Sequence, residues 1–140
     1  MILVDTSVLS LAFRRRPRFQ PEPHPVQAFR RMLVEDTPVA IPGIVLQELL
    51  SGVRSDQQFR RLRSLLEAFP ILTAERQDHI LAAQISNACR RRGLSALTVD
   101  CLIAALALSR DAFLFTLDED FTKLASICAL KLFKPGTQSG

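Results

Sequence analysis

The chain has 140 residues, enough for one domain with a real core, and 48% of them are hydrophobic, which excludes an intrinsically disordered protein. Its net charge is +4; the basic side is dominated by arginine, whose planar fork suits phosphate oxygens and keeps a nucleic-acid partner open. Nine Phe with no Trp or Tyr argue against an aromatic base-stacking platform, and three scattered cysteines (Cys89, Cys101, Cys128) argue against a zinc site and fit a reducing cytoplasm.

In chain order, Ile2 to Val4 form a short apolar run ending at Asp5, which reads as a buried strand with Asp5 at its carboxyl end. Thr6-Ser7 then caps a helix beginning near Val8. That N-terminal stretch is interrupted by Asp5 and followed by Arg14-Arg15-Arg16, the reverse of a signal peptide, and it is too short to span a bilayer. A cytoplasmic protein without a membrane segment is expected. The segment from Arg14 to Pro25 holds four prolines and reads as an exposed loop or flexible clip. The spacing of Val26, Phe29, Arg30 and Leu33 predicts a helix to Glu35. Val39 to Ile41 is a second strand, with Pro42 opening a helix that carries Glu48. Gln57 to Phe69 reads as a helix, Ile71-Leu72 as a third strand, and Glu75 to Arg92 as a long helix ended by Gly93. A helix from Val99 to Ser109 carries Asp100. Ala112 to Thr116 is a fourth strand, a helix follows Asp118 to about Ile127, and Leu130 to Phe133 reads as a last strand. Short apolar strands alternating with helices predict an α/β fold with a parallel sheet covered on both faces. The pattern reads as one domain over residues 1–135, with a flexible tail over 136–140.

Asp100 is the only charged residue between Gly93 and Ser109. An ionised carboxylate removed from water costs several kcal/mol unless it is paired, and no cation lies nearby in sequence. Ala104 and Ala107, one and two turns on, leave room beside it. Asp5 and Asp118 both follow strands, at the rim where open α/β sheets bind ligands. Glu48 borders the apolar stripe of its helix, with Gly52 one turn on. Each acid alone also reads as a helix cap, a first-turn acid or a solvated residue. Together, carboxylates converging without basic partners call for a cation, and an all-oxygen donor set matches Mg²⁺ or Mn²⁺. Such ions serve phosphoryl chemistry, and beside the arginine clusters they point to a nuclease.

These stretches, in order, resemble the four motifs of the PIN domain. MILVDTSVL resembles the first, with Asp5; IPGIVLQELLSGV the second, with Glu48; LTVDCLIAALAL the third, with Asp100; and LFTLDEDFTKLA the fourth, with Asp118 and Asp120 as candidate acids and Thr116 beside them. Within that family the chain is most similar to VapC-type toxins of toxin–antitoxin pairs. The resemblance implies a three-layer fold with a central parallel sheet, and a Mg²⁺- or Mn²⁺-dependent endoribonuclease that cuts structured RNA, tRNA or rRNA. It further implies a homodimer and a small DNA-binding, VapB-like antitoxin.

On this reading Asp5, Glu48, Asp100 and Asp118 are the catalytic acids, and Asp5, Asp100, Asp118 and Asp120 the metal ligands. Asp118 is the first choice over Asp120, being nearer the strand end. Ser7 and Thr116 orient a ligand by hydrogen bonding, and Arg14, Arg15 and Arg16 hold the RNA backbone. Two other readings compete: a metal-dependent phosphotransfer domain, and a non-catalytic acidic module for a basic peptide. The first is disfavoured because Asp5 is followed by Thr6, the strand AFLFT leads to acids instead of Lys, and Ser7 stands where a phosphatase of the haloacid-dehalogenase type has its second Asp.

Overall fold

The computed structural model describes residues 1–136. The tail expected over 136–140 therefore lies, beyond Gly136, outside the described residues. Five strands run in one all-parallel sheet: β1 (Ile2–Val4), β2 (Val39–Pro42), β3 (Ile71–Leu72), β4 (Phe113–Phe115) and β5 (Lys131–Leu132), in the spatial order β3-β2-β1-β4-β5. Seven helices among the described residues connect and flank them: α1 (Thr6–Ala12), α2 (His24–Val34), α3 (Gly43–Leu50), α4 (Asp56–Leu66), α5 (Arg76–Arg91), α6 (Thr98–Ser109) and α7 (Asp120–Ala125). α1 packs on α2 and α3, and α3 on α4; α5 packs on α6, and α6 on α7. The result is the three-layer α/β arrangement expected. None of these helices is long and apolar enough to cross a membrane.

β1 is central and pairs with β2 on one side and β4 on the other, with Leu3 opposite both Ala40 and Leu114. Leu3, Val4, Ile41, Leu114 and Phe115 are sealed from solvent, which is why these strands read as unbroken apolar runs and not as alternating ones. The chain departs from β1 toward β2 and β3 and later returns on the other flank to β4. Such a reversal leaves a crevice at the carboxyl ends of the two strands.

α6 is buried nearly all round: Cys101 and Ile103 through Ala107 are enclosed. α5 ends in a Schellman motif, with Gly93 at φ +72°, Gly93 N–H donating to Arg90 O (3.0 Å) and Leu94 N–H to Cys89 O (2.9 Å). Two expectations are corrected. α1 begins at Thr6, and its cap is Asp5 itself in extended backbone (φ −95°, ψ 169°), because Asp5 Oδ1 reaches Ser7 N–H. The proline-rich loop ends earlier than expected: His24-Pro25 already form the first turn of α2, and Glu22 is tied to Arg30 and, through its carbonyl, to Gln27.

Candidate active site

Asp5 leaves β1 at the centre of the sheet and stays 5% exposed. Its backbone N–H donates to Phe115 O (3.1 Å), continuing the β1–β4 pairing one residue past the strands. Its side chain accepts three hydrogen bonds. Ser7 N–H donates to Oδ1 (2.6 Å), while Ser7 Oγ (3.2 Å) and Thr116 Oγ1 both donate to Oδ2. The same two hydroxyls accept from the chain leaving β4, Ser7 Oγ from Leu117 N–H (2.8 Å) and Thr116 Oγ1 from Asp118 N–H (3.0 Å). Ser7 and Thr116 thus join the ends of β1 and β4 through the Asp5 carboxylate. Burial pushes the Asp5 carboxyl above its ordinary range; the bonds from Thr116 and Ser7 pull it back, and the Asp118 charge adds to the rise.

Asp100, in the first turn of α6, is 8% exposed. Burial first, then the charges of Asp118, Asp120, Asp5 and Glu48, raise its carboxyl to about 6. No salt bridge or hydrogen bond to a protein donor compensates it among the described residues. Carboxylate oxygens of Asp100, Asp118 and Asp120 all lie within 4.8 Å of one another. Asp118 Oδ1 also accepts from Asp120 N–H (2.9 Å), which folds the loop after β4 into the start of α7. Glu48, exposed on α3, accepts a hydrogen bond from Thr6 Oγ1 (3.1 Å). Asp5, Glu48, Asp100 and Asp118 line one pocket of about 260 Å³, with Thr6, Ser7 and the apolar Ile103 and Phe121.

This array of acids at the β1–β4 crevice belongs to a recognisable lineage: a PIN domain family model matches residues 2–127. The chain belongs to the PIN domain family. It is 34% identical over 134 residues to VapC ribonuclease Mb1587 of Mycobacterium bovis and to Ribonuclease VapC11 of Mycobacterium tuberculosis, matches that cover 94% of this chain and 96% of each relative. Among solved structures it is similar to FitAcB from Neisseria gonorrhoeae (TM-score 0.76, 24% identity, 96% of this chain and 98% of that one). It is equally similar to VapBC2 from Rickettsia felis bound to a promoter DNA fragment (TM-score 0.76, 23% identity, 95% and 98%). At those identities the structural likeness speaks to the fold.

The residues of this PIN domain fit a divalent cation. The donors are all carboxylate oxygens, hard ligands of the kind Mg²⁺ and Mn²⁺ take. Asp100 carries a buried negative charge that Lys123 does not offset: Lys123 pairs with Asp120 instead, at 3.6 Å and open to water, an arrangement of little energetic weight. A carboxylate has about four lone-pair positions, and Asp5 already uses three, so it has one left for a ligand.

Not every expected residue comes to the site. Arg14 and Arg15 line a separate groove with Leu9, Phe13, Leu62 and Leu65 between α1, α3 and α4. Arg16 is partly buried, with Nη1 enclosed and unbonded. From the sequence Thr6 reads only as a helix cap, yet it holds Glu48. Its position directly after Asp5 in the first turn of α1 was the available signal; the packing of α1 on α3 that completes the contact carries none.

Proposed function

We propose that this PIN domain is a Mg²⁺- or Mn²⁺-dependent endoribonuclease of the VapC type. It acts on structured RNA in the cytoplasm as a homodimer and is restrained by a small VapB-like antitoxin. The observation that carries this reading is Asp100: a buried carboxylate surrounded by four other acids and offset by no cation among the described residues. The naming of its 34%-identical relatives as VapC ribonucleases supports it.

On this reading Asp100, Asp118 and Asp120 hold the ion, and Asp5 joins them through its remaining lone pair. When bound, the ion neutralises the phosphate and supplies an acidified water. Glu48, with Oε1 engaged by Thr6, keeps Oε2 free at the pocket mouth to take the proton of the attacking water. Ser7 and Thr116 fix the rotamer of Asp5, and Ile103 and Phe121 give the pocket a side that sheds water. The arginines of the Arg14–Arg16 cluster, outside the pocket, engage RNA phosphates farther along the strand.

The test is cleavage of total RNA by the purified chain with Mg²⁺ or Mn²⁺, beside Asp100→Asn. Metal-dependent cutting that the variant loses supports the reading. Wild-type-like cutting by Asp100→Asn sinks it, as does an absence of calorimetric Mg²⁺ and Mn²⁺ binding.

A further inference from the structure

Beside the acidic pocket lies a second cavity of about 290 Å³, and Asp100 and Asp120 line it. Its remaining walls are unlike the acidic pocket. Cys89, Leu94, Ala96, Leu97 and Leu124 make them apolar, and Ser95 and Lys123 supply the other polar groups. The Schellman motif at the end of α5 builds one side, because the left-handed Gly93 turns Leu94 back over Cys89. Leu97, which caps α6, is 66% exposed and Leu94 36%. Lys123 is the only cation lining the cavity among the described residues, and its side chain is 64% exposed.

We propose that this cavity seats one unpaired nucleotide of the RNA, next to the scissile phosphate. Its base lies on Leu94, Leu97 and Leu124, and its phosphate is met by Lys123 Nζ. The proposal rests on the ribonuclease reading above. Continuity argues for it: Asp100 belongs to both cavities, so a strand whose scissile phosphate meets the acids passes its neighbouring nucleotide into this space. Charge argues for it too. A phosphate entering this space needs a cation on its solvent side, and Lys123, one helical turn from Asp120, supplies one there. A base inside a duplex cannot enter a concave site, whereas an unstacked one can present its face and edge. Among the described residues no aromatic ring lines the cavity, so the base is held by aliphatic contact. The hydroxyl of Ser95 is the group able to read its edge.

The experiment uses a fluorescent RNA oligonucleotide spanning a mapped cut site, and a copy lacking the base on one side of the cut. Removing the base lowers kcat/KM for the wild type about tenfold at one flanking position. Leu97→Ser lowers it similarly on the intact RNA and costs nothing more on the abasic one, since the two changes delete the same contact. Losses that multiply overturn the proposal. In EDTA, where nothing is cut, Lys123→Ala reduces by about 0.7 the steepness with which log affinity falls with log salt, the loss of one phosphate contact on a single strand. Lys123→Arg restores it. An unchanged salt slope, or unchanged RNA cleavage with weakened binding of a basic peptide, also overturns it. If the wild type cuts no RNA, the ribonuclease reading fails and takes this one with it. If the wild type cuts but these variants behave alike, only the subsite fails. Both side chains are well exposed, so the substitutions leave the core intact.

Discussion

Asp100→Asn is expected to stabilise the metal-free protein while abolishing its proposed activity. The Asp100 carboxyl stands at about 6 against an ordinary 3.8, raised by burial and then by its acidic neighbours. A shift of this size makes the ionised form about 3 kcal/mol costlier in the folded chain than in the unfolded one. The sign follows directly: a raised carboxyl penalises the native state fully above pH 6, and the penalty vanishes as pH falls through 6 to below 3.8. Asparagine removes the charge but leaves a buried amide to be satisfied, at about 1 kcal/mol, so a net gain of about 2 kcal/mol is expected at pH 7.5. With an unfolding entropy of about 2.1 cal/mol/K per residue, that gain raises Tm by about 7 °C. The assay is thermal unfolding in EDTA, followed by circular dichroism, of both proteins between pH 4 and 8. The gap should close toward pH 4. Added Mg²⁺ or Mn²⁺ should reverse the order, since saturation at a hundred times Kd stabilises the binding-competent wild type by about 2.7 kcal/mol. A variant that melts at or below the wild type in EDTA at pH 7.5 refutes the argument that Asp100 is an uncompensated charge.

Away from the site, Asp78 is buried and accepts from Arg110, Ser109 Oγ (2.7 Å) and Glu75 N–H (2.8 Å); burial opposes its ionisation, but these donors outweigh it and hold it at about 2. The stability it confers is present above 3.8 and lost as pH falls toward 2, and Arg110→Met should cost about 3 kcal/mol at pH 7 in urea unfolding, less below pH 4. Thr116→Val removes a donor to the Asp5 carboxylate and an acceptor for Asp118 N–H; a loss of about 2 kcal/mol in chemical denaturation is expected, with cleavage reduced. Gly93→Ala places a side chain at φ +72° and should lower stability by about 1 kcal/mol, read as a Tm fall of about 3 °C.

The element order and the strand-end acids were legible because both leave local marks. Three-residue strands buried on two faces read as apolar runs, and Asp5 and Asp118 stand just past two of them. Asp100 was legible by contrast with its surroundings. What escaped was long-range. The Asp78–Arg110 pair joins residues 32 apart, one on α5 and the other just past the end of α6, and no periodicity announces it. Asp5, Thr6 and Ser7 all have good capping chemistry, so local propensity left the start of α1 open; the bond from Ser7 N–H to Asp5 Oδ1 is what sets it. Gly93 was readable as a helix stop, but the cavity wall that Leu94 forms after it depends on α7 lying opposite. The arginine triplet was readable as basic, and only the direction of α1, away from the crevice, carries it off from the acids.

The position of β1 between β2 and β4 has a consequence for the order in which the molecule becomes competent. Leu3 cannot gain both neighbours until Leu114 is available, and Asp5 gains neither Thr116 nor the Asp118 loop before then. Emerging from a ribosome, the chain displays Asp5 and Glu48 early, yet the centre of its sheet stays open on one flank until β4, more than a hundred residues after β1, has followed. Contacts so distant along the chain close late in folding. A newly made chain is thereby kept without an assembled acid cluster until Asp118 and Asp120 have joined Asp100.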